Sequence, residues 1–127
     1  MEPESVPDVR PPFTHAPGLI VGVESHGDAM VLKVAGDIGL ATAPQLTEVA
    51  VAILDRRPRM MVVDMSRVSF LASAGLAALV ELQRRSAADV AFRVVAAGST
   101  VVRPLTLSGL DTLITVRPTL TDALAAG

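Results

Sequence analysis

The sequence predicts a single α/β domain, in which a mixed, mostly parallel sheet of about five strands carries about four helices. Three observations predict it. After two strand-like segments the pattern alternates helix, strand, helix, strand, helix, strand, helix, and that alternation requires crossover connections and hence parallel neighbours. Residues Arg59 to Met65 form a short, almost continuously apolar run, the pattern of a central strand covered on both faces. The prolines after residue 17 punctuate the segments: Pro44, Pro58, Pro104 and Pro118 are each expected near an element start, where a missing N–H is tolerated.

Taken in order, Met1 to Pro17 holds five of the nine prolines and few large apolar groups. Such a segment cannot bury enough surface to offset its ordering entropy. Residues 1–17 are therefore expected to form a disordered, Pro-rich N-terminal tail ahead of a domain spanning 18–127. The alternative is that Val9 to Phe13 folds back along a sheet edge. Gly18 to Glu24 and Ala29 to Ala35 read as two strands joined by the turn-rich Ser25-His26-Gly27-Asp28. Thr42 to Leu54 reads as a helix, with Thr42 as cap, Pro44 in the first turn, and Leu46, Val49, Ala50 and Ile53 on one face.

The strand Arg59 to Met65 is followed by a short loop and then by a second helix, Ser73 to Ala87. Leu76, Leu79, Val80 and Gln83 follow helical spacing there, and the polar end Glu81 to Ser86 is expected to turn outward. Val90 to Ala96 is the next strand. Ser99 caps a helix running to Leu107, and Gly109 lies just past its end. Leu113 to Val116 gives the last strand and Pro118 to Ala125 the terminal helix.

Composition bounds the function. The chain has 127 residues, no cysteine, a net charge of −2 and three aromatic residues, Phe13, Phe70 and Phe92. The absence of cysteine excludes a thiolate nucleophile, a disulfide framework and a zinc–thiolate site. Arg56, Arg57 and Arg59 form one basic cluster and Arg84-Arg85 another, without aromatic platforms, so they read as solvated helix ends and not as a nucleic-acid surface. No apolar run approaches the ~18 residues that span a bilayer. His15 and His26 have no paired acid or second histidine at a useful spacing. There is no GxxxxGK[ST] or GxGxxG loop and no visible nucleophile–base pair, which argues against an enzyme and against a nucleotide-binding domain. No cofactor is expected.

The most informative segment is Val62 to Leu76, which reads as a buried strand, a loop and a serine at the mouth of a helix. A helix N-terminus presents unpaired N–H groups and the positive end of the helix dipole, a field that favours a phosphate on Ser73. Asp64 is expected to anchor the loop, Ser66 and Ser69 to satisfy backbone groups within it.

The run Asp64-Met65-Ser66-Arg67-Val68-Ser69-Phe70-Leu71-Ala72-Ser73-Ala74-Gly75-Leu76 resembles the signature of STAS domains, and specifically of bacterial anti-sigma factor antagonists. Val34 to Pro44 is similar to that family's passage from second strand to first helix, and Ser108-Gly109-Leu110 resembles its turn after the third helix. The resemblance implies a cytoplasmic partner-switching protein that is not itself an enzyme. Unphosphorylated, it would bind an anti-sigma factor with serine kinase activity and so release a sigma factor. The kinase would phosphorylate Ser73 and dissolve the complex, and a phosphatase would reset it. The implied partner-binding residues are Asp37, Gly39, Ala72, Ser73, Ala74, Gly75 and Leu76. No direct contact with nucleic acid and no membrane insertion are implied, and the chain is expected as a monomer or weak homodimer, with the exposed first strand as the self-association edge. Two positions depart from the family pattern, which often has aspartates where this chain has Ala72 and Gly39. That departure keeps a second role open, a STAS subunit of a lipid-transport ABC system or of a stress-sensing assembly, binding without phosphorylation.

Overall fold

The computed structural model describes residues 15–16, 19–86 and 89–125. Apart from His15–Ala16, the proline-rich segment 1–17 lies outside the described residues, as does the alternative placement of Val9 to Phe13. The elements are β1 (His15–Ala16), β2 (Leu19–His26), β3 (Ala29–Ile38), α1 (Ala43–Leu54), β4 (Met60–Leu71), α2 (Ser73–Ser86), β5 (Ala91–Val95), α3 (Ser99–Leu107), a 3₁₀ turn (Leu110–Thr112), β6 (Thr115–Arg117) and α4 (Leu120–Ala125). The five expected strands and four helices are all present, and the two-residue β1 adds to the antiparallel edge of the sheet.

The strands lie side by side in chain order, β1-β2-β3-β4-β5-β6. β2 pairs antiparallel with β1 and β3, whereas β3–β4, β4–β5 and β5–β6 are parallel. Because every parallel step moves the same way across the sheet, right-handed crossovers place α1, α2 and α3 on one face. The larger core forms there, from Leu32, Val34, Ile38, Met61, Val63 and Val94 of the sheet against Leu46, Ile53, Leu79, Leu82 and Leu105 of the helices. The opposite face is covered over a smaller area by α4, whose Ala123 packs on Val31, Val62 and Val95.

β4 is longer than its apolar run and continues to Leu71, so Ser66 and Ser69 are exposed strand residues, not loop residues. It carries one extra residue relative to β3 between the pairs Lys33–Asp64 and Ala35–Arg67, and another between Gly36–Val68 and Asp37–Phe70. At the first bulge the buried Asp64 carboxylate accepts the Ser66 N–H at 3.0 Å. Asp64 thus anchors the backbone as expected, but within the strand. At the second bulge Gly36 takes φ 111°, a conformation that side chains resist.

The helix faces agree with the sequence pattern in α1, where Leu46, Val49, Ala50 and Ile53 are all buried. In α2 the stripe is rotated: Gly75, Ala78, Leu79, Leu82 and Ser86 are buried while Val80 is exposed. Ser86 does not turn outward, because its hydroxyl donates to the Leu82 carbonyl at 2.7 Å and is thereby satisfied in the core. The α3 cap position belongs to Gly98 and not to Ser99. Pro104 lies inside α3, not at its start; the carbonyl that its N–H would have met belongs to Thr100, which water reaches. Gly109 takes the left-handed conformation just past α3, as its position implied.

The rotated face of α2 makes a discriminating prediction. Leu82→Ala should destabilise the domain by about 2–5 kcal/mol in urea unfolding, whereas Val80→Ala should change stability by less than about 1 kcal/mol. Comparable losses at both positions would refute the assigned face.

Candidate functional site

The residues singled out by the sequence converge at one end of the sheet, where β3 leads into α1 and β4 into α2. Asp37 and Ile38 are in register with Phe70 and Leu71. The Ala72 N–H donates to the Ile38 carbonyl at 2.9 Å, which fixes the start of α2 against the end of β3. The Ala72 carbonyl accepts the N–H groups of Gly75 at 2.9 Å and Leu76 at 3.1 Å. Ala72 therefore stands at the cap position of α2, and Ser73 is its first residue.

Ser73 is exposed, and its hydroxyl makes no hydrogen bond to another described residue. It does not cap the helix, since it lies one residue past the cap position that Ala72 occupies. The first turn of α2 contains no acidic residue, so the helix itself brings no carboxylate to its positive end.

Gly75 is buried, and a Cβ there would lie 2.5 Å from Leu71 Cδ1, 2.8 Å from Ile38 Cγ2 and 3.3 Å from Ile38 Cβ. The tip of Leu71 could rotate away. Ile38 is β-branched and fixed on the sheet, so it could not. The missing side chain thus serves the close approach of α2 to the sheet, an internal requirement, and not the approach of a partner from outside. Ala72, Ala74 and Leu76 are half-buried, leaving Ser73 as the most accessible of the five motif residues.

The β3–α1 loop is equally fixed. Thr42 occupies the cap position of α1, yet its side chain does not cap the helix. Its hydroxyl accepts the Gly39 N–H at 2.8 Å and donates to the Asp37 carbonyl at 2.8 Å. The Ala43 N–H donates to the Gly39 carbonyl at 2.8 Å. This closed loop holds Asp37 exposed, Gly39 half-buried, and Leu40 exposed at 86%. Leu40 was not marked by the sequence; the only signal was one large apolar residue inside a turn-like Gly-Leu-Ala-Thr stretch. Phe70, 53% exposed, adds apolar surface on the strand beside Asp37.

The remaining candidates lie elsewhere. His26 lies beside the opposite end of β3 and, contrary to the sequence expectation, has a paired acid: it bonds Glu24 at 3.0 Å, and that bond, with a smaller effect from Lys33, holds the Glu24 carboxyl below its ordinary value. The basic clusters are engaged locally. Arg57 pairs with Asp89, and Arg84 and Arg85 both bond Glu81, whose carboxyl is lowered chiefly by Arg84. Among the described residues no helix is long and apolar enough to cross a membrane.

Known proteins share this architecture. The STAS domain family model matches residues 21–123. The chain is 39% identical over 106 residues to the anti-sigma-F factor antagonist RsfB of Mycobacterium tuberculosis, covering 84% of this chain and 87% of that one. The crystal structure of an anti-sigma factor antagonist from Mycobacterium paratuberculosis matches with a TM-score of 0.84 at 38% identity, over 89% of this chain and 97% of that one. The Bacillus cell fate determinant SpoIIAA, in its phosphorylated form, shares the fold with a TM-score of 0.61 at 17% identity, over 83% of this chain and 96% of that one. The chain belongs to the STAS domain family and is of the anti-sigma factor antagonist type. It is accordingly a regulatory protein and not an enzyme.

Two substitutions test the scaffold of the site. Helix propensity alone favours alanine over glycine by roughly 1 kcal/mol, so stabilisation by Gly75→Ala would refute the clash with Ile38; the expected result is a loss of about 1–3 kcal/mol. Thr42→Val keeps the shape but removes both hydroxyl bonds, and should lower stability by about 1–3 kcal/mol in the same unfolding assay, with Thr42→Ser restoring most of it.

Proposed function

We propose that this chain acts in the cytoplasm as an anti-sigma factor antagonist whose partner is an anti-sigma factor with serine kinase activity. Binding would free the sigma factor for transcription, phosphorylation of Ser73 by the partner would end the complex, and a phosphatase would restore it. The observation that carries this reading is the exposure of the Ser73 hydroxyl at the first residue of α2, on a rigid end of the fold whose other exposed groups include Leu40 and Phe70. A hydroxyl free of internal bonds is available to a kinase, and phosphorylating it breaks nothing inside the domain.

The physics of the switch follows from charge and desolvation. A phosphate adds about −1.5 to −2 charges at neutral pH. A partner packed over the start of α2 would have to strip water from those charges, a cost of several kcal/mol. Since about 1.4 kcal/mol is tenfold in affinity, the complex would weaken by about 100-fold or more. On this reading Ser73, Ala72, Ala74 and Leu76 present the contact surface, Gly75 shapes it from beneath, and Asp37 and Gly39 supply the adjoining loop.

Ala72 favours a second reading, because it leaves no carboxylate beside Ser73 to orient a kinase or its metal. In that case the chain would be a STAS subunit of a lipid-transport ABC system or of a stress-sensing assembly, bound without phosphorylation.

Capture from a host lysate on immobilised wild type, Ser73→Ala and Ser73→Glu, with partners identified by mass spectrometry, separates the two. An anti-sigma factor held by wild type and Ser73→Ala but lost from Ser73→Glu, and able to phosphorylate the wild type with ATP, is the expected result. Recovery of a transport ATPase, or of a partner indifferent to charge at position 73, would overturn the switch.

A further inference from the structure

The opposite end of the sheet, where the parallel strands begin, holds a cleft of about 460 Å³ that plays no part in the proposed switch. Its floor follows from the register. Ala29, Met60 and Ala91 stand side by side across β3, β4 and β5. By strand alternation they share the face on which α4 packs, where Val31, Val62 and Val95 lie. α4 covers that face farther along the strands, with Ala123 on those three valines. At the strand starts two alanines flank Met60, and their short side chains leave the floor hollow. Leu124 of α4 bounds the cleft and packs, like Met60, at the edge of the smaller core. The walls are charged. Arg93 follows Ala91 by two residues on the same face, is partly buried, and donates from Nη1 to the Phe92 carbonyl at 3.3 Å. Arg59 stands at the rim, 81% exposed, with the Asp28 carboxylate 3.9 Å away and 79% exposed. A pair so open to water holds its members weakly. His26 completes the lining and is bonded by Glu24.

We infer that this cleft binds a small anionic amphiphile: a compact carboxylate or phosphate head on an unbranched aliphatic tail. The head meets the guanidinium groups of Arg93 and Arg59, whose planar forks suit both kinds of oxyanion. Arg93 is the stronger partner, because its partly buried charge is less screened by water and salt. Asp28, exposed at the mouth, disfavours an anion left there and favours one seated inward against Arg93. The tail lies on Met60 between Ala29 and Ala91, against Leu124, and removes those apolar groups from water. The volume suits a small molecule. Among the described residues no Phe, Tyr or Trp lines the cleft, so a nucleobase would find no broad face on which to stack. An aliphatic tail needs none. The site is also remote from Ser73: β4 runs from Met60 at the cleft to Leu71 at the start of α2, roughly 30–35 Å at its rise per residue. Its occupancy therefore stands or falls independently of the switch.

The test is a titration of the isotopically labelled full chain, followed through its amide chemical shifts, with octanoate, octyl phosphate, octanol, acetate and inorganic phosphate as separate probes. Octanoate or octyl phosphate is expected to shift the amides of Ala29, Met60, Ala91 and Leu124, with a dissociation constant of about 1 mM or tighter. The tighter of the two identifies the preferred head. Octanol, which lacks the charge, and acetate and phosphate, which lack the tail, are expected to bind at least about tenfold more weakly. Arg93→Met, its fold checked by circular dichroism and thermal unfolding, should weaken the amphiphile by about tenfold or more and leave octanol unchanged. Arg59→Glu reverses a charge at an exposed position and should weaken the amphiphile by about threefold or more; it decides alone if Arg93→Met does not fold. The inference is overturned if neither amphiphile moves these amides at about 10 mM, tenfold above the expected constant. Octanol binding as tightly as octanoate, acetate or phosphate binding as tightly as the amphiphiles, or wild-type affinity in every folded variant would overturn it equally.

Discussion

The hydrogen bond from the Ala72 N–H to the Ile38 carbonyl is the constraint on which this end of the molecule depends. It joins the end of one parallel strand to the start of the helix that follows the next. It is short enough to work only because position 75 has no side chain to hold α2 away from Ile38 and Leu71. Once α2 is drawn down in this way, its first residue must project from the surface. Ser73 is exposed for that reason, and not because the chain there is loose.

The order of the sheet gives the same end its breadth. With β3 to β6 parallel and adjacent in chain order, every crossover helix begins at one end of the sheet and lies on one face. The starts of α1 and α2 therefore stand side by side, and both are tied to β3: α1 through the Thr42 bond to Asp37, α2 through the Ala72 bond to Ile38. Thr42 illustrates the division of labour. A threonine in the cap position of α1 would ordinarily bond the helix amides; here it bonds backward to Asp37 and Gly39 instead. The loop gains rigidity, and α1 begins without a side-chain cap but with Pro44 in its first turn, where one amide is already absent.

Much of this was legible in the sequence, and the misses have identifiable physical causes. Element order and the α1 face were readable because local periodicity and the tertiary contacts agree there. In α2 they disagree: Val80 is apolar yet exposed, and Ser86 is polar yet buried, since its hydroxyl can be satisfied by a carbonyl one turn back. The length of β4 was hidden because its second half, from Ser66 to Phe70, pairs through bulges and faces water except at Val68, so it lacks both the apolar run and strict alternation. Pro104 was misplaced because an exposed short helix tolerates one lost bond. At the site, the position of Ser73 and the glycine beside it could be read from the motif. Neither the true purpose of Gly75 nor the exposure of Leu40 could be, because the first depends on how closely α2 approaches the sheet and the second on how the β3–α1 loop is pinned.

These features together determine what kind of signal the surface can receive. The exposed groups around Ser73 are small or apolar, and the first turn of α2 carries no carboxylate. The nearby acids Asp37 and Glu48 are solvated at the surface. A small ligand finds only an open apolar surface there. A covalent charge is different. Placed on a hydroxyl that makes no bond to another described residue, it would alter the surface without disturbing the core, because Ser73 contributes no internal bond that modification would break. On the proposed reading the rigidity of the scaffold has a functional consequence: with both helix starts tied to β3, the surface could not rearrange to shelter a phosphate on Ser73, so a docked partner would feel the electrostatic change.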